Sequence, residues 1–204
     1  MGKYVDSNTR AENAGNAELS KEKFKQIRDK ILKVSFIRKM QYNNNFNRIN
    51  DYMINGDTQP AIVYSVNPLI ISAYSDEMDG VVFLEFPDVL AEMYNLKTGS
   101  RLVTSNIYKY GSKIAKDINI GSNYYNRYVD FTPIVQLFLS DNENYIKNRT
   151  ELFSEEIWDK VNYLTNEYAH SGNQPRKGFY YLTKIDGGTI FCIVCIIIGI
   201  ILAI

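Results

Sequence analysis

The sequence predicts an α+β fold: a mainly antiparallel sheet with flanking helices, plus one C-terminal transmembrane helix. Short β-rich runs cluster between 61 and 108, and segments 21–40 and 151–169 repeat apolar residues at helical spacing. The last 18 residues carry no charge. Strands that are grouped between helices are typical of α+β proteins rather than of alternating βαβ folds.

Composition excludes several function classes. The chain has 204 residues, with 23 Lys and Arg against 23 Asp and Glu, so its formal net charge is zero. This balance excludes a uniformly basic nucleic-acid binder and a uniformly acidic disordered chain. A single histidine, His170, and the absence of cysteine before residue 192 exclude a Cys–His nucleophile pair and multi-histidine metal sites in the soluble part. We therefore expect no cofactor and no nucleic-acid partner, and the composition favours a non-catalytic protein.

The N-terminal fifth of the chain divides into two parts. Residues 1–19 are polar without periodicity, which predicts disorder. Residues 20–40 predict a basic amphipathic helix, because eight basic and two acidic side chains give it a net charge of +6. Such a helix binds an anionic membrane or an acidic partner, or it packs on its own domain with solvated lysines. The candidate partner- or membrane-binding residues are Lys25, Arg28, Lys33, Arg38 and Lys39.

An amide-rich stretch, 41–59, is predicted to be a linker or loop, since Asn side chains compete for backbone hydrogen bonds. The cytosolic α+β domain is then expected over 60–185. Within it, 69–74 and 81–86 predict a hairpin, with Asp79-Gly80 as the turn signal at its tip. The other predicted elements are strands at 61–66, 101–108 and 179–183, helices at 88–96, 133–139 and 151–169, and an extended loop at 109–130.

The hairpin tip is acidic. The window 76–96 holds six carboxylates and no Lys or Arg, a net charge of −6. Carboxylates grouped at a turn offer oxygen ligands to Ca²⁺ or Mg²⁺, so Asp76, Glu77 and Asp79 are weak metal candidates. The alternatives are a solvated tip, a face that binds a partner, or an internal match for the +6 segment.

Tyrosines and basic residues gather in the predicted loop 109–130. Tyrosine offers a large contact area at little entropic cost, which favours a binding surface. The alternative is a loop that packs across the sheet. The candidate binding-loop residues are Tyr110, Tyr124, Tyr125 and Arg127.

Residues 187–204 predict a transmembrane tail anchor. A helix of this length spans roughly 27 Å, close to the hydrocarbon thickness of a bilayer. Arg176, Lys177 and Lys184 precede it, which favours a cytosolic N-terminal domain, and residues 1–20 contain no signal-peptide core. A buried strand and a removable anchor signal are the alternatives. The predicted anchor residues are Ile190, Phe191, Ile193, Val194, Ile196, Ile197, Ile198, Ile200, Ile201 and Leu202.

Together these features predict a tail-anchored, single-pass membrane protein. Its cytosolic domain is expected to act as a non-catalytic interaction or regulatory module that binds a protein partner, in addition to the lipid bilayer. Two alternatives remain open at this point. One is a membrane-attached enzyme that uses carboxylates or a divalent metal, and the other is a membrane-acting viral or bacterial defence effector.

Overall fold

The computed structural model describes residues 10–124 and 126–182, apart from the side chains of 36–38, 40 and 41. It confirms the α+β class: a curled, mainly antiparallel sheet carries helices on its faces. The predicted span 187–204 lies outside the described residues. Within them, no helix combines the length and the apolar character that a membrane crossing requires.

The described part of the chain contains a seven-stranded sheet. Its strands are β1 Asp57–Val66, β2 Leu69–Ser75, β3 Gly80–Phe86, β4 Arg101–Lys109, β5 Asn119–Ile120, β6 Asp130–Val135 and β7 Arg176–Lys177. The spatial order is β5-β3-β2-β1-β4-β6, and β7 pairs in parallel with β3. The predicted hairpin is confirmed, because β2 and β3 pair from Leu69 with Phe86 to Ser75 with Gly80.

Helices precede the sheet, follow it and interrupt it. They are α1 Lys21–Gln26, a π-helical turn Ile27–Ile31, α2 Phe36–Asn55, α3 Val89–Met93, α4 Glu143–Asn148 and α5 Glu155–His170. Three 3₁₀ turns accompany them, at Gln136–Phe138, Arg149–Leu152 and Tyr180–Leu182.

The sheet buries both of its faces. Helix α5 covers one face, where Trp158, Val161 and Tyr168 pack against Ile62 and Phe83. Its apolar residues recur every three or four positions, as the sequence predicts for this helix. The opposite, inner face forms the main core with the N-terminal helices and the C-terminal turn.

The prediction of a linker over 41–59 is wrong. Helix α2 runs through most of this stretch, and β1 begins at Asp57. Its apolar side chains at helical spacing, such as Ile49 and Met53, are fully buried. The amides bond to other segments instead of breaking the helix: the Asn50 side-chain oxygen accepts from the Leu19 amide at 2.8 Å. Tertiary contacts therefore override the low helix propensity of asparagine.

The predicted helix over 20–40 is interrupted. Helix α1 passes into the π-helical turn, and the chain reverses at Lys33, whose φ is +45°. Ser35 is extended and precedes α2, so residues 36–40 belong to the second helix. Ser20 caps α1, because its side-chain oxygen accepts from the Lys23 amide at 3.2 Å.

Disorder is predicted over 1–19, and for residues 10–19 that prediction is wrong; residues 1–9 lie outside the described part. Ala14 forms a β-bridge with Asp57, and the Gly15 amide donates to the Gly56 carbonyl at 2.9 Å. The small side chains of Ala11 and Ala17 are buried in the main core. Small residues allow this segment to lie flat against α2 and β4, which polar composition alone does not reveal.

Two further elements differ from prediction. Residues 133–139 form the end of β6 and a 3₁₀ turn rather than a helix. Pro133 is tolerated there because β6 is an edge strand of the described sheet. The predicted strand 179–183 is instead a 3₁₀ turn at Tyr180–Leu182, preceded by the short β7.

Candidate functional site

The basic segment, defined as residues 21–33, lies on the surface of the domain. Phe24 fixes it there: this side chain is buried and packs edge-on against Phe46 of α2 at 5.2 Å. The ammonium groups point the other way, since four of its lysines are exposed. These are Lys21, Lys25, Lys30 and Lys33.

A groove of about 370 Å³ separates the basic segment from α2. Phe24 and Phe46 form its apolar lining, three cations flank it, and two amides complete it; no carboxylate lines it. We call it the basic groove. Its lining residues are Lys21, Phe24, Lys25, Arg28, Asn43, Phe46 and Asn47.

Arg28 is held in a fixed position at this groove. Its Nε and Nη2 donate to the two oxygens of Asp29 at 2.9 and 2.7 Å, and Nη1 donates to Asn43 Oδ1. The hydrogen bond from Arg28, followed by that from Lys39, holds the pKa of Asp29 well below its usual value. Lys39 Nζ lies 3.0 Å from Asp29, so Asp29 serves both cations.

Lys23, another cation of the basic segment, binds to groups of the domain itself. Lys23 Nζ lies 2.9 Å from Glu143 and donates to the Leu137 carbonyl at 3.1 Å. Within the acidic window 76–96, Asp79 pairs with Lys160 and Glu85 with Lys177, and neither of these lysines belongs to the basic segment. Of the five predicted binding cations, Lys25 and Lys33 face solvent, Arg28 and Lys39 share Asp29, and the Arg38 side chain lies outside the described part.

The described chain ends beside the basic segment. Asn45 of α2 donates from Nδ2 to the carbonyl of Leu182 at 3.0 Å. A second groove, of about 460 Å³, is lined both by Leu32, which follows the π-helical turn, and by Tyr180 of the last 3₁₀ turn. Helix α2 therefore supports both the basic segment and Leu182, the last residue that the structure describes.

The acidic tip is mostly enclosed. Asp76 is exposed, but Glu77 and Asp79 are only 1% and 3% exposed, so a solvated tip is the wrong interpretation for these two. Asp79 forms an ion pair with Lys160 of α5, and its Oδ2 accepts from the Asn123 amide at 2.8 Å. Asp79 thus fastens α5 and the loop after β5 to the hairpin.

The three metal candidates do not converge on one point. Within 10–124 and 126–182, no group of three His, Cys, Asp or Glu side chains is placed to hold a metal ion. Asp79 faces Lys160, whereas Asp76 lies 3.3 Å from the hydroxyl of Tyr108. The arrangement favours internal tethering over oxygen ligation of a cation.

Sequence reasoning missed a buried carboxylate, Asp57. Its Oδ2 accepts from Gln59 Nε2 at 2.7 Å and from the Tyr108 hydroxyl at 3.1 Å. Burial, followed by the negative charge of Asp76, raises the pKa of Asp57 to about 7. Burial also raises the pKa of Tyr108. Asp57 and Gln59 lie on the same face of β1 as the buried Ala61, but polar and apolar residues do not alternate in this stretch, so no local pattern marks Asp57 as buried.

The tyrosine-rich loop is partly a packing element. Tyr110 is 50% exposed, and its ring lies 4.9 Å from that of the buried Tyr128. The Arg127 guanidinium lies 5.2 Å from the same ring. Tyr124 turns inward and donates to the Tyr128 carbonyl, whereas Tyr125 lies outside the described residues. Tyr110 and Arg127 therefore come together around Tyr128, and Tyr124 serves the loop itself.

The three candidate sites thus differ in accessibility. The acidic tip is largely enclosed, the tyrosine-rich loop is partly exposed, and the basic groove is open with two exposed lysines at its edge. The basic groove is the best candidate for a functional surface. Compared with protein-family models, curated proteins and solved structures, the chain matches none of them.

Proposed function

We propose that this protein is a non-catalytic interaction module that residues 187–204 hold at a membrane, with its domain in the cytosol. The observation that carries the proposal is the hydrogen bond from Asn45 to the Leu182 carbonyl. It fixes Leu182, the last described residue, against α2, which also supports the basic segment. A positively charged surface beside the start of a membrane span is the arrangement expected on a cytosolic face.

The length of the connection supports close attachment. Only residues 183–186 separate the described domain from the uncharged run, and four residues reach at most about 14 Å. A domain on so short a tether stays at the membrane surface. Only partners that also reach the membrane surface can then bind the domain.

The carboxylates support a non-catalytic module over an enzyme. Asp57 and Glu77 are 6% and 1% exposed, which leaves a substrate little access to them. Asp79 is committed to Lys160 and to the Asn123 amide. His170 makes a local hydrogen bond, in which Nδ1 donates to the Asn166 carbonyl at 2.7 Å at the end of α5.

Attachment is tested by alkaline carbonate extraction and vesicle flotation of the full chain. We expect it to stay in the membrane fraction, and to be released when Ile193, Ile197 and Ile200 are all replaced by Asp. Protease treatment of sealed microsomes is expected to digest the domain from outside, as a cytosolic face requires. Extraction of the unmodified chain by carbonate would contradict the proposal.

Interaction is tested separately by cross-linking in membranes followed by affinity purification from detergent. The control is residues 187–204 fused to an unrelated soluble domain. We expect at least one protein that is enriched with the full chain over this control. If the full chain yields the same proteins as the control, the domain is not an interaction module.

A further inference from the structure

We propose that the basic groove binds the phosphate of an anionic phospholipid headgroup, so that the domain touches the bilayer at a second point. The proposal rests on the membrane attachment proposed above. It names the ligand class of a surface that membrane attachment alone does not require.

The donors at the basic groove suit a phosphate. Lys21 and Lys25 lie four residues apart on α1, and such pairs are neighbours with about 5–6 Å between their Cβ atoms. Both are exposed, and among the described residues neither has a carboxylate partner. Two adjacent ammonium groups with six N–H donors can hold a single phosphate between them.

The rest of the groove is already organised. Asp29 and Asn43 hold Arg28, so its charge stays at the groove wall without an exposed carboxylate beside it in the lining. Asn43 accepts from Arg28 through Oδ1, which leaves its Nδ2 hydrogens for another acceptor. The edge-on pair Phe24 and Phe46, with planes at 87°, gives an apolar base on which glycerol or acyl carbons would lie.

Position distinguishes a lipid from a soluble anion. Leu182 is bound to Asn45, two residues along α2 from both Asn43 and Asn47 of the groove. A helix with its side chains is about 10–12 Å wide. The groove and Leu182 therefore lie within about one helix diameter of each other. A tether of at most about 14 Å gives headgroups a high effective concentration at the groove.

Hydrogen–deuterium exchange of the full chain in lipid nanodiscs tests this proposal. We compare discs of phosphatidylcholine alone, in which the choline ammonium compensates the phosphate charge, with discs that also contain phosphatidylserine, whose headgroup keeps a net negative charge. Peptides that cover 21–33 and 43–47 are expected to exchange on the order of tenfold more slowly in the anionic discs, and raised salt should reduce the difference. Peptides of α5, on the other face of the sheet, should be unaffected.

Paired variants identify the groove. The double variant Lys21→Gln/Lys25→Gln should lose the protection. The matched control Lys113→Gln/Lys116→Gln, which removes two exposed lysines from the loop after β4, should keep it. Equal exchange in both kinds of disc, or equal loss in both variants, would overturn the proposal.

Two further arms identify the source of the anion. Inorganic phosphate or polyglutamate is added to the chain in neutral discs, and neither should protect the groove as phosphatidylserine does. Equal protection by either would overturn the assignment to lipid. A chain that fails to float with neutral vesicles refutes the proposed anchor, whereas a chain that floats without lipid-dependent protection refutes only the headgroup site.

Discussion

The Tyr108 hydroxyl donates to Asp57 Oδ2 over 3.1 Å on the inner face of the sheet, where both side chains are buried. Ser75 Oγ donates to the same phenol oxygen at 3.3 Å, and Gln59 shares the carboxylate. Hydrogen bonds favour the ionised form of Asp57, but burial and the charge of Asp76 outweigh them. The pair thus places a proton-binding group in the core of the domain.

Replacing Asp57 by Asn should change how stability depends on pH. The pKa of Asp57 is about 7 in the folded protein against an ordinary 3.8, so the folded state holds its proton more tightly than the unfolded chain. Ionisation therefore costs stability as pH rises through about 4 to 7. The free energy of unfolding of Asp57→Asn relative to the parent should be higher by a few kcal/mol at pH 7.5 than at about pH 4. Urea unfolding at both pH values measures this difference.

The control is Asp141→Asn, which removes one carboxylate from an exposed position. Its stability relative to the parent should be nearly the same at both pH values. An equal offset for Asp57→Asn at the two pH values would show that folding does not raise the pKa of Asp57.

Arg176 should contribute far more to stability than its neighbour Lys177. Its Nε and Nη2 lie 2.6 and 2.8 Å from Asp117 and Asp130, and Nη1 donates to the Phe131 carbonyl at 2.8 Å. Its side chain is 12% exposed, so Arg176→Gln leaves two carboxylates without their cation in a partly buried site. We expect a loss of roughly 2–4 kcal/mol in the free energy of unfolding, measured with denaturant at neutral pH.

Lys177→Gln is the matched control for this prediction. Lys177 pairs with Glu85 at 2.6 Å, but its side chain is 76% exposed, so solvent screens the pair. Its loss should cost at most about 1 kcal/mol. Equal costs for the two variants would mean that the network around Arg176 adds nothing beyond a surface ion pair.

The spacing of apolar residues in the sequence predicted an element correctly where those residues are the ones that the fold buries. The β2–β3 hairpin follows from its apolar runs and the Asp79-Gly80 signal, and α5 follows from its apolar spacing. Local sequence patterns failed for α2, because Asn50 and Asn45 bond to Leu19 and Leu182, which lie far away in the chain. Asparagine propensity describes an isolated helix, and these partners exist only after folding.

The sequence also predicts only part of the candidate site, because the groove depends on contacts between segments that lie apart in the chain. The charge of Lys21, Lys25 and Arg28 is evident from the sequence, but the groove exists only because Phe24 docks on α2. The Asp57–Tyr108 contact joins residues 51 apart, and it requires the register of β1 against β4, which pairs Asp57 with Asn106. Such a register is set by the whole sheet and cannot be derived from either strand alone.

Replacing Gly15 by Ala should release the N-terminal segment. A Cβ at this position would overlap the Met53 carbonyl oxygen and the Ser105 hydroxyl, and the carbonyl belongs to the rigid backbone of α2. The segment must then move away from β4, and its bridge to Asp57 is lost. We expect faster proteolytic cleavage within 10–19 under native conditions, and mass spectrometry of the fragments measures its rate.

The exposed neighbour Asn13 provides the comparison, since Asn13→Ala removes a side chain without adding a clash. Its cleavage rate should match that of the parent. Unchanged cleavage of Gly15→Ala would mean that the segment absorbs the extra methyl group without leaving the sheet.

Asp79 and Lys160 should show strong energetic coupling. Burial opposes the charge of Lys160, but its hydrogen bonds to Asp79 and Tyr74 and its electrostatic interactions with both groups together outweigh this effect and raise the lysine pKa. The carboxylate side chain is 4% exposed and the lysine side chain 34%, so Lys160→Met leaves a charged, enclosed Asp79. Asp79→Asn in the same chain removes that charge, and the double variant should be more stable than the sum of the single effects predicts. We expect a coupling of about 1–3 kcal/mol from a double-mutant cycle of unfolding free energies.

The exposed ion pair between Arg101 and Glu155 is the control for this double-mutant cycle. Their side chains are 40% and 74% exposed, so solvent screens the pair, and Arg101→Met and Glu155→Gln should couple only weakly. The difference between the two cycles then measures what enclosure adds to an ion pair that fastens α5 to the hairpin. If Asp79 and Lys160 couple no more strongly than the exposed pair, the loop amides, such as that of Asn123, and not the lysine stabilise the buried carboxylate.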